Sequence, residues 1–214
     1  MKKDRSGSRR ESLTARGAAT RARVVEAAAR LVATRGVAAT SLDEILQASR
    51  ASKSQLYHYF TDKDALMCAV VEAQTSRVLG FQQSCLKGAR SFADLKKWRD
   101  TVVELNRASG GVGGCPIGSL ASELSDRSES ARALLADSFR TWESHLVAGL
   151  QAMIEEGELD SDADPNELAT AAIGALQGGL LLAKTTRTTK PLELALDMAL
   201  GHIARFRRRG QAPL

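Results

Sequence analysis

Apolar residues recur at three- and four-residue spacing along most of this chain, and this spacing is the strongest constraint on its fold. The first clear run is Val24, Ala27, Ala28 and Leu31. Such spacing places apolar side chains on one face of a helix, so it predicts amphipathic α-helices. Only two Trp, two Tyr and five Phe occur among the 214 residues, whereas sheets favour aromatic residues. We therefore predict an all-α fold.

Capping residues and breaks divide the chain into about nine predicted helices. Ser41 and Glu44 predict a capping box, and Ser52 and Asp62 are predicted N-caps. The stretch SGGVGGCPIG (109–118) predicts a loop, because five glycines and a proline cannot continue a helix. The predicted helices cover about 20–35, 42–48, 53–59, 63–85, 91–109, 116–124, 129–156, 165–184 and 191–207.

Charge is divided unevenly along the chain. Residues 1–60 contain 12 Lys and Arg against 5 Asp and Glu, a net charge of +7, whereas residues 61–214 contain 18 against 20, a net charge of −2. This asymmetry indicates a polyanionic partner for the N-terminal part. Residues 1–19 contain no apolar run and are predicted to be a flexible basic arm.

Several classes of protein are disfavoured by the same sequence. The cysteines form no CxxC pair, which is typical of a reducing compartment. The longest weakly polar run, 168–183, is expected to be too short and too polar to cross a membrane. GxSxG, HExxH, P-loop and GxGxxG patterns are absent, and the three histidines are far apart. We predict a soluble cytoplasmic protein that is not an enzyme, with no cofactor, metal site or membrane partner.

Residues 42–60 have the layout of a helix-turn-helix, since two short predicted helices are joined by a tight turn within the basic part. The second helix suits contact with phosphates and base edges, because Gln55, for example, can pair two-fold with adenine. Leu56 and Phe60 lie four residues apart and are predicted to face the core. The polar candidates on this helix are Lys53, Ser54, Gln55, Tyr57, His58 and Tyr59.

Three motifs carry a family resemblance: TSLDEI (40–45), SKSQLYHYF (52–60) and DKDAL (62–66). Through them the chain resembles TetR/AcrR-family repressors. The resemblance implies a three-helix DNA-binding domain at 20–65 and a larger helical ligand-binding and dimerisation domain at 66–214. It also implies that phosphates are anchored by Thr40, Tyr59 and Lys63. With the N-cap Ser52, the full set of predicted DNA-binding residues is Thr40, Ser52, Lys53, Ser54, Gln55, Tyr57, His58, Tyr59 and Lys63.

One departure from the family pattern lies in the turn of this motif. Family members usually carry Gly-Val there, whereas this chain has Arg50 and Ala51. We therefore predict that Arg50 adopts a turn conformation that glycine holds without strain, at a cost of about 1 kcal/mol.

The C-terminal part resembles one branch of the family. The segments GGCPIGSLASEL (113–124) and LLLAKTTRTTKPLELAL (180–196) are similar to the LmrA/YxaF-type and NemR-type regulators, which implies a response to small aromatic or electrophilic compounds. Cys115 precedes a predicted helix start, which favours a reactive thiolate, although a packing role remains open. Similarity to the NemR-type branch implies a nearby Lys184. A plain core role for the aromatic candidates stays open as the alternative. The predicted pocket or sensing residues are Cys115, Phe81, Trp98, Phe139, Trp142, His145 and Lys184.

A homodimer is expected, because one recognition helix reads few base pairs and two read a palindromic operator. We predict an interface at Gly174, Gly178, Leu196, Leu200 and Ile203. The predicted function is a repressor that binds operator DNA as a homodimer. Its release would follow binding of a small aromatic or hydrophobic compound, or reaction of an electrophile or oxidant at Cys115. The alternative is a protein of the same fold that organises DNA without an effector.

Overall fold

Nine α-helices make up the part of the chain that the structure, a computed structural model, describes, residues 14–208. In this range no extended strand is present, only an isolated bridge between Leu159 and Arg207. The all-α prediction is therefore confirmed. The helices are α1 (Ala15–Arg35), α2 (Leu42–Ser49), α3 (Lys53–Tyr59), α4 (Lys63–Leu86), α5 (Phe92–Ala108), α6 (Pro116–Leu124), α7 (Glu129–Glu155), α8 (Pro165–Thr186) and α9 (Lys190–Ala204).

Helix α1 begins earlier than predicted. Thr14 is its N-cap and accepts a hydrogen bond from the Gly17 backbone N–H at 3.2 Å, so residues 15–19 are helical and not part of a flexible arm. The spacing of apolar residues did not predict this first turn of α1. The turn contains alanines, which have high helix propensity, but no buried apolar face. Residues 1–13 of the predicted arm lie outside the described residues, as do residues 209–214.

Helices α1–α3 form a small unit that we call the head (residues 15–60). Its core contains Ile45 and, as predicted, Leu56 and Phe60. Helix α4 starts beside the head and extends along the remaining helices. We call those helices, α5–α9, the body (residues 92–204). Buried apolar residues run without a break from α1 through α4 to α9, so head and body share one continuous core.

Helices α8 and α9 pack closely because of one glycine. A Cβ atom on Gly179 would lie 2.9 Å from the Leu192 Cα and 3.1 Å from the Ala195 Cβ, so only glycine permits this approach. Gly174 and Gly178, by contrast, are exposed, and open space surrounds the position of an added Cβ. The two outer glycines therefore leave bare backbone on the surface of α8.

The dimer face predicted on α9 is wrong. Leu196, Leu200 and Ile203 are buried within their own chain, where they pack into the core. Leu194 and Met198 are the exposed apolar residues of this helix, Met198 at 68%. Periodicity marks an apolar face, but α9 is apolar on two sides, and the sequence does not tell which side the rest of the chain covers.

Helix α8 is longer than predicted. With 22 residues it is, within residues 14–208, the single helix long and apolar enough to cross a membrane, so length does not support the earlier exclusion. One side of α8, including Leu168, Ala169 and Leu176, is buried in the core. A buried core helix satisfies the same criteria of length and composition.

Candidate nucleic-acid interface and effector cavity

Helix α3 is held by a capping box at its first turn. The Ser52 hydroxyl accepts from the Gln55 N–H at 3.2 Å, and the Gln55 Oε1 accepts from the Ser52 N–H at 2.9 Å. Leu56 fixes the opposite side of the helix in the core. This leaves one face exposed, with Lys53, Ser54, Gln55, Tyr57 and His58 on it.

The expected two-fold pairing of Gln55 with adenine does not fit this conformation. Such a pair uses the carboxamide oxygen and nitrogen together, whereas the Gln55 oxygen is engaged by the Ser52 N–H. The amide nitrogen and the proton of the Ser52 hydroxyl have no partner among the hydrogen bonds of this capping box. Tyr59 is half-buried, and its ring meets His58 and Phe60 edge-on.

The turn between α2 and α3 contains the expected strain. Arg50 adopts the left-handed conformation, with φ 52° and ψ 37°. Its backbone N–H donates to the Gln47 carbonyl, and the Ala51 N–H donates to the Leu46 carbonyl at 3.2 Å. These bonds end α2 sharply, so that α3 can cross it.

Two residues assigned to phosphates by resemblance are engaged inside the head. Thr40 is 1% exposed, and its hydroxyl donates to the Gly36 carbonyl at 2.7 Å. The Lys63 Nζ donates to the carbonyls of Val37 and Thr40 at 2.8 and 2.6 Å. In this conformation both side chains fasten the turn between α1 and α2, because its carbonyls have no helical partners.

Glu123 joins the body to the same turn, a contact that sequence analysis missed. Its Oε2 atom accepts from the Val37 N–H at 2.7 Å. Glycine is needed at position 36 for two reasons. Its φ is 82°, which side chains rarely allow, and an added Cβ atom would lie 2.9 Å from that oxygen. Glu123 belongs to α6, which begins directly after the glycine-rich loop. No local signal relates residues 86 positions apart.

A cavity of about 410 Å³ lies in the body among α4, α5, the loop at 109–115, α7 and α8. Three of the predicted pocket residues, Phe81, Cys115 and Trp142, line it. Its other lining residues include apolar and amide side chains that the sequence did not single out. These are Gln74, Val78, Gln82, Val102, Leu105, Asn106, Val112, Leu176 and Leu180.

Trp98 and His145 were predicted to line the pocket and do not. Trp98 is buried in the core, and its Nε1 donates to the Gln82 Oε1 at 2.8 Å. It therefore stands behind the wall and positions a lining residue. His145 follows Trp142 by three residues on α7, but it is half-buried away from this cavity.

A second cavity, of about 330 Å³, lies on the other side of Cys115. Phe139, Gln177 and Lys184 line it together with Cys115, so Lys184 and Cys115 do share a site. The Lys184 side chain covers Gly114, where an added Cβ would lie 3.3 Å from its Cδ atom. Cys115 is common to the walls of both cavities.

The Cys115 thiol is buried, and this reverses one expectation. Its sulfur caps α6 by accepting from the Gly118 N–H at 3.4 Å and also accepts from the Gln177 amide at 3.5 Å. Burial nevertheless outweighs these bonds and raises the pKa of the Cys115 thiol. The helix start therefore does not produce a ready thiolate.

Comparison with known proteins agrees with this arrangement of head and body. Residues 24–70 match the model of bacterial regulatory proteins of the tetR family, and residues 93–199 match the tetracyclin repressor-like C-terminal domain. A TetR transcriptional regulator from Chloroflexus aurantiacus has a similar solved structure, with a TM-score of 0.77, 26% identity, and coverage of 91% of this chain and 99% of that chain.

Curated relatives include three regulators that match most of the chain. The transcriptional regulator AcuR of Cereibacter sphaeroides is 31% identical over 74% of this chain and 73% of its own length. NemR of Escherichia coli, an HTH-type transcriptional repressor, is 28% identical over 83% of this chain and 90% of its own. YxaF of Bacillus subtilis is 27% identical over 86% and 95%. The resemblance to the YxaF and NemR branch is thus confirmed, and the chain belongs to the TetR family of transcriptional regulators, which are DNA-binding proteins and not enzymes.

Proposed function

We propose that this protein is a cytoplasmic repressor that binds a palindromic operator as a homodimer and leaves it when a small, mainly apolar compound occupies the cavity of the body. The observation that carries the proposal is the pairing of two features on one continuous core. An exposed polar face lies on α3 in the head, and a cavity of suitable size lies in the body. Ligand pockets typically enclose about 300–1,000 Å³.

Operator reading is assigned to the exposed face of α3. Lys53 and His58 are placed for phosphates, and Ser54, the Gln55 amide and Tyr57 for base edges and thymine methyl groups. Ser52 and Tyr59 stand at the rim of this face. Support comes from exposure: Tyr57 is 48% exposed although it is a large aromatic side chain on a seven-residue helix.

Dimerisation is assigned to the outer faces of α8 and α9. Leu181 and Leu182 on α8 and Leu194 and Met198 on α9 are exposed apolar residues. Gly174 and Gly178 continue the α8 part of this surface with bare backbone. Exposed apolar patches of this kind mark association sites. Light scattering should give a dimer for the wild type and for Met198→Leu but a monomer for Met198→Glu, because a carboxylate would be buried without a partner.

Release is assigned to movement of α6. The cavity wall includes Cys115 and Pro116 at the start of α6, and Glu123 near its end holds the turn of the head. A ligand that displaces the wall would shift α6 and so change the spacing of the two recognition helices. An apolar electrophile that enters the cavity would meet the Cys115 thiol on its wall, so covalent release remains a second route.

The decisive experiment measures operator binding by fluorescence anisotropy. The probe is the palindromic DNA closest to the gene that encodes this protein, with a scrambled duplex as control. We expect specific binding with a stoichiometry of two chains per palindrome, reversed by a compound that also raises the melting temperature. Specific binding that no compound reverses would favour the alternative, a DNA-organising protein without an effector.

A further inference from the structure

The two tryptophans of this chain differ in one respect that bears on the ligand. Both are buried, Trp98 at 2% and Trp142 at 1% exposure. The indole N–H of Trp98 donates to Gln82, whereas that of Trp142 has no partner. An unpaired buried donor costs about 1–3 kcal/mol, so native structures seldom retain one without a reason.

A second unpaired atom belongs to the same cavity. The Asn106 side-chain oxygen is buried and has no hydrogen-bond partner, and Asn106 and Trp142 both line the cavity of about 410 Å³. Four such atoms occur within residues 14–208, and the other two, on Arg99 and His145, lie outside this cavity. Both atoms belong to residues that line this cavity, so a polar group of a ligand that enters it can supply the missing partners.

Charge in the cavity wall restricts the ligand further. The lining contains no acidic side chain, and its one charged residue, Arg77, has a side chain that is 57% exposed and paired with Glu26 of α1. A charged ligand buried beside Trp142 and Asn106 would thus lose its hydration without a compensating charge. The remaining wall is largely apolar, with Val78, Val102, Leu176 and Leu180.

We propose that the effector is an uncharged, mainly apolar molecule with a hydroxyl or carboxamide group, which accepts a hydrogen bond from the Trp142 Nε1 and donates one to Asn106. This inference rests on the proposed function of the cavity. An indole N–H only donates, so an acceptor is required. The unpaired Asn106 oxygen only accepts, so the ligand must also donate, and a hydroxyl or a carboxamide does both. Ethers, hydrocarbons and carboxylates each fail one of these conditions.

Binding of a matched series tests the proposal. Isothermal titration calorimetry would compare para-propylphenol and para-propylbenzamide with para-propylanisole, propylbenzene and para-propylbenzoate. We expect at least one of the first two to bind about tenfold tighter than the other three, because the poorer compounds leave a buried group unpaired. Equal binding of the phenol and propylbenzene, tightest binding of the benzoate, or no binding of any compound would overturn it.

Variants separate recognition from packing. Trp142→Phe and Asn106→Leu each remove one unpaired group, and we expect each to reduce the preference for the hydroxyl or carboxamide compound to about threefold or less. Neither should lower the melting temperature of the unliganded protein by the amount that Trp98→Phe does, since Trp98→Phe breaks a bond that is made. Trp98→Phe should retain the ligand preference. A preference that survives both cavity variants would contradict the proposal.

Spectroscopy gives a direct reading of the same contact. Because the chain has two tryptophans, Trp98→Phe leaves Trp142 as the single indole. Its N–H resonance should move downfield when the hydroxyl compound binds, because hydrogen bonding deshields the proton, and should show no comparable downfield shift with propylbenzene. The absence of a downfield shift with the hydroxyl compound would count against the contact. Operator anisotropy in parallel keeps the two ideas distinct. If the hydroxyl or carboxamide compound binds selectively but does not release the operator, this inference is supported and the proposed release is contradicted. If compounds release the operator without this selectivity, the proposed release is supported and this inference is contradicted.

Discussion

The exposed face of the head is built from residues close together in the sequence, whereas the cavity of the body is built from residues far apart in it. In the head, each exposed face follows from residues three or four positions apart, such as the capping box of Ser52 and Gln55 and the buried Leu56 behind it. The cavity brings together residues from Gln74 to Leu180, carried by several helices and a loop. A surface made by one helix can be inferred from spacing, whereas a cavity depends on how helices cross.

The largest effect is expected where the head meets DNA. Tyr57→Ala should weaken operator binding by about tenfold to a hundredfold, as loss of a base or phosphate contact typically costs about 1–3 kcal/mol. Because Tyr57 is exposed, the melting temperature and ligand binding should not change. Anisotropy with the operator duplex and a thermal melt measure both. Tyr57→Phe is the control that separates ring from hydroxyl, and an unchanged affinity for Tyr57→Ala would remove α3 from the interface.

Sequence reasoning succeeded in the head wherever the signal was local. The N-caps Ser41, Ser52 and Asp62 lie where their spacing predicts, and Arg50 has the left-handed conformation expected from comparison with the family's Gly-Val turn. The phosphate role that the family resemblance implies for Thr40 and Lys63 stays a prediction. Their hydrogen bonds to carbonyls of a turn were not foreseen, because a sequence does not show which carbonyls lack a helical partner.

In the body the same reasoning predicted the helices but not which of their side chains meet in the cavity. It selected Phe81 and Trp142 as pocket residues, yet it missed Gln82 and Asn106, since amides at helical spacing carry no pattern. It also placed Trp98 in the wall, because two tryptophans on apolar stripes look alike until the helices are packed.

The second effect compares Lys63, at the start of α4, with Lys53 of the head. Lys63→Met should lower the free energy of unfolding by about 1–3 kcal/mol, because the carbonyls of Val37 and Thr40 lose their donor. Operator affinity should fall several-fold as a consequence of the looser turn. Lys53→Met, the matched control, should keep stability within about 0.5 kcal/mol and reduce the salt dependence of binding by about one unit of slope. Equal melting curves for the two variants would show that Lys63 does not fasten the turn.

The third effect tests the connection between the two regions. Glu123→Ala removes the acceptor for the Val37 N–H. We expect operator affinity without ligand to change less than threefold, at a cost in stability of about 1 kcal/mol. The ligand concentration needed for release should rise, since α6 no longer moves the turn of the head. Glu129→Ala, which removes an exposed carboxylate paired with Arg132, is the control. Normal release in Glu123→Ala would direct attention to α4 as the connecting element.

The smallest effect on the operator is expected at Cys115. Cys115→Ser should leave operator affinity within about threefold, because serine can accept the same bonds from Gly118 and Gln177 and the site is remote from α3.

The thiol itself should react with maleimide more slowly in the folded than in the unfolded chain. Burial raises its pKa, so the reactive thiolate is scarcer at neutral pH and labelling should accelerate only as the solution becomes alkaline. A bound cavity ligand should slow labelling further, as measured by mass spectrometry. The opposite result would be fast labelling at neutral pH that also releases the operator and is abolished in Cys115→Ser. In that case Cys115 would be a covalent sensor, and reaction at the cavity wall would control DNA binding by the head.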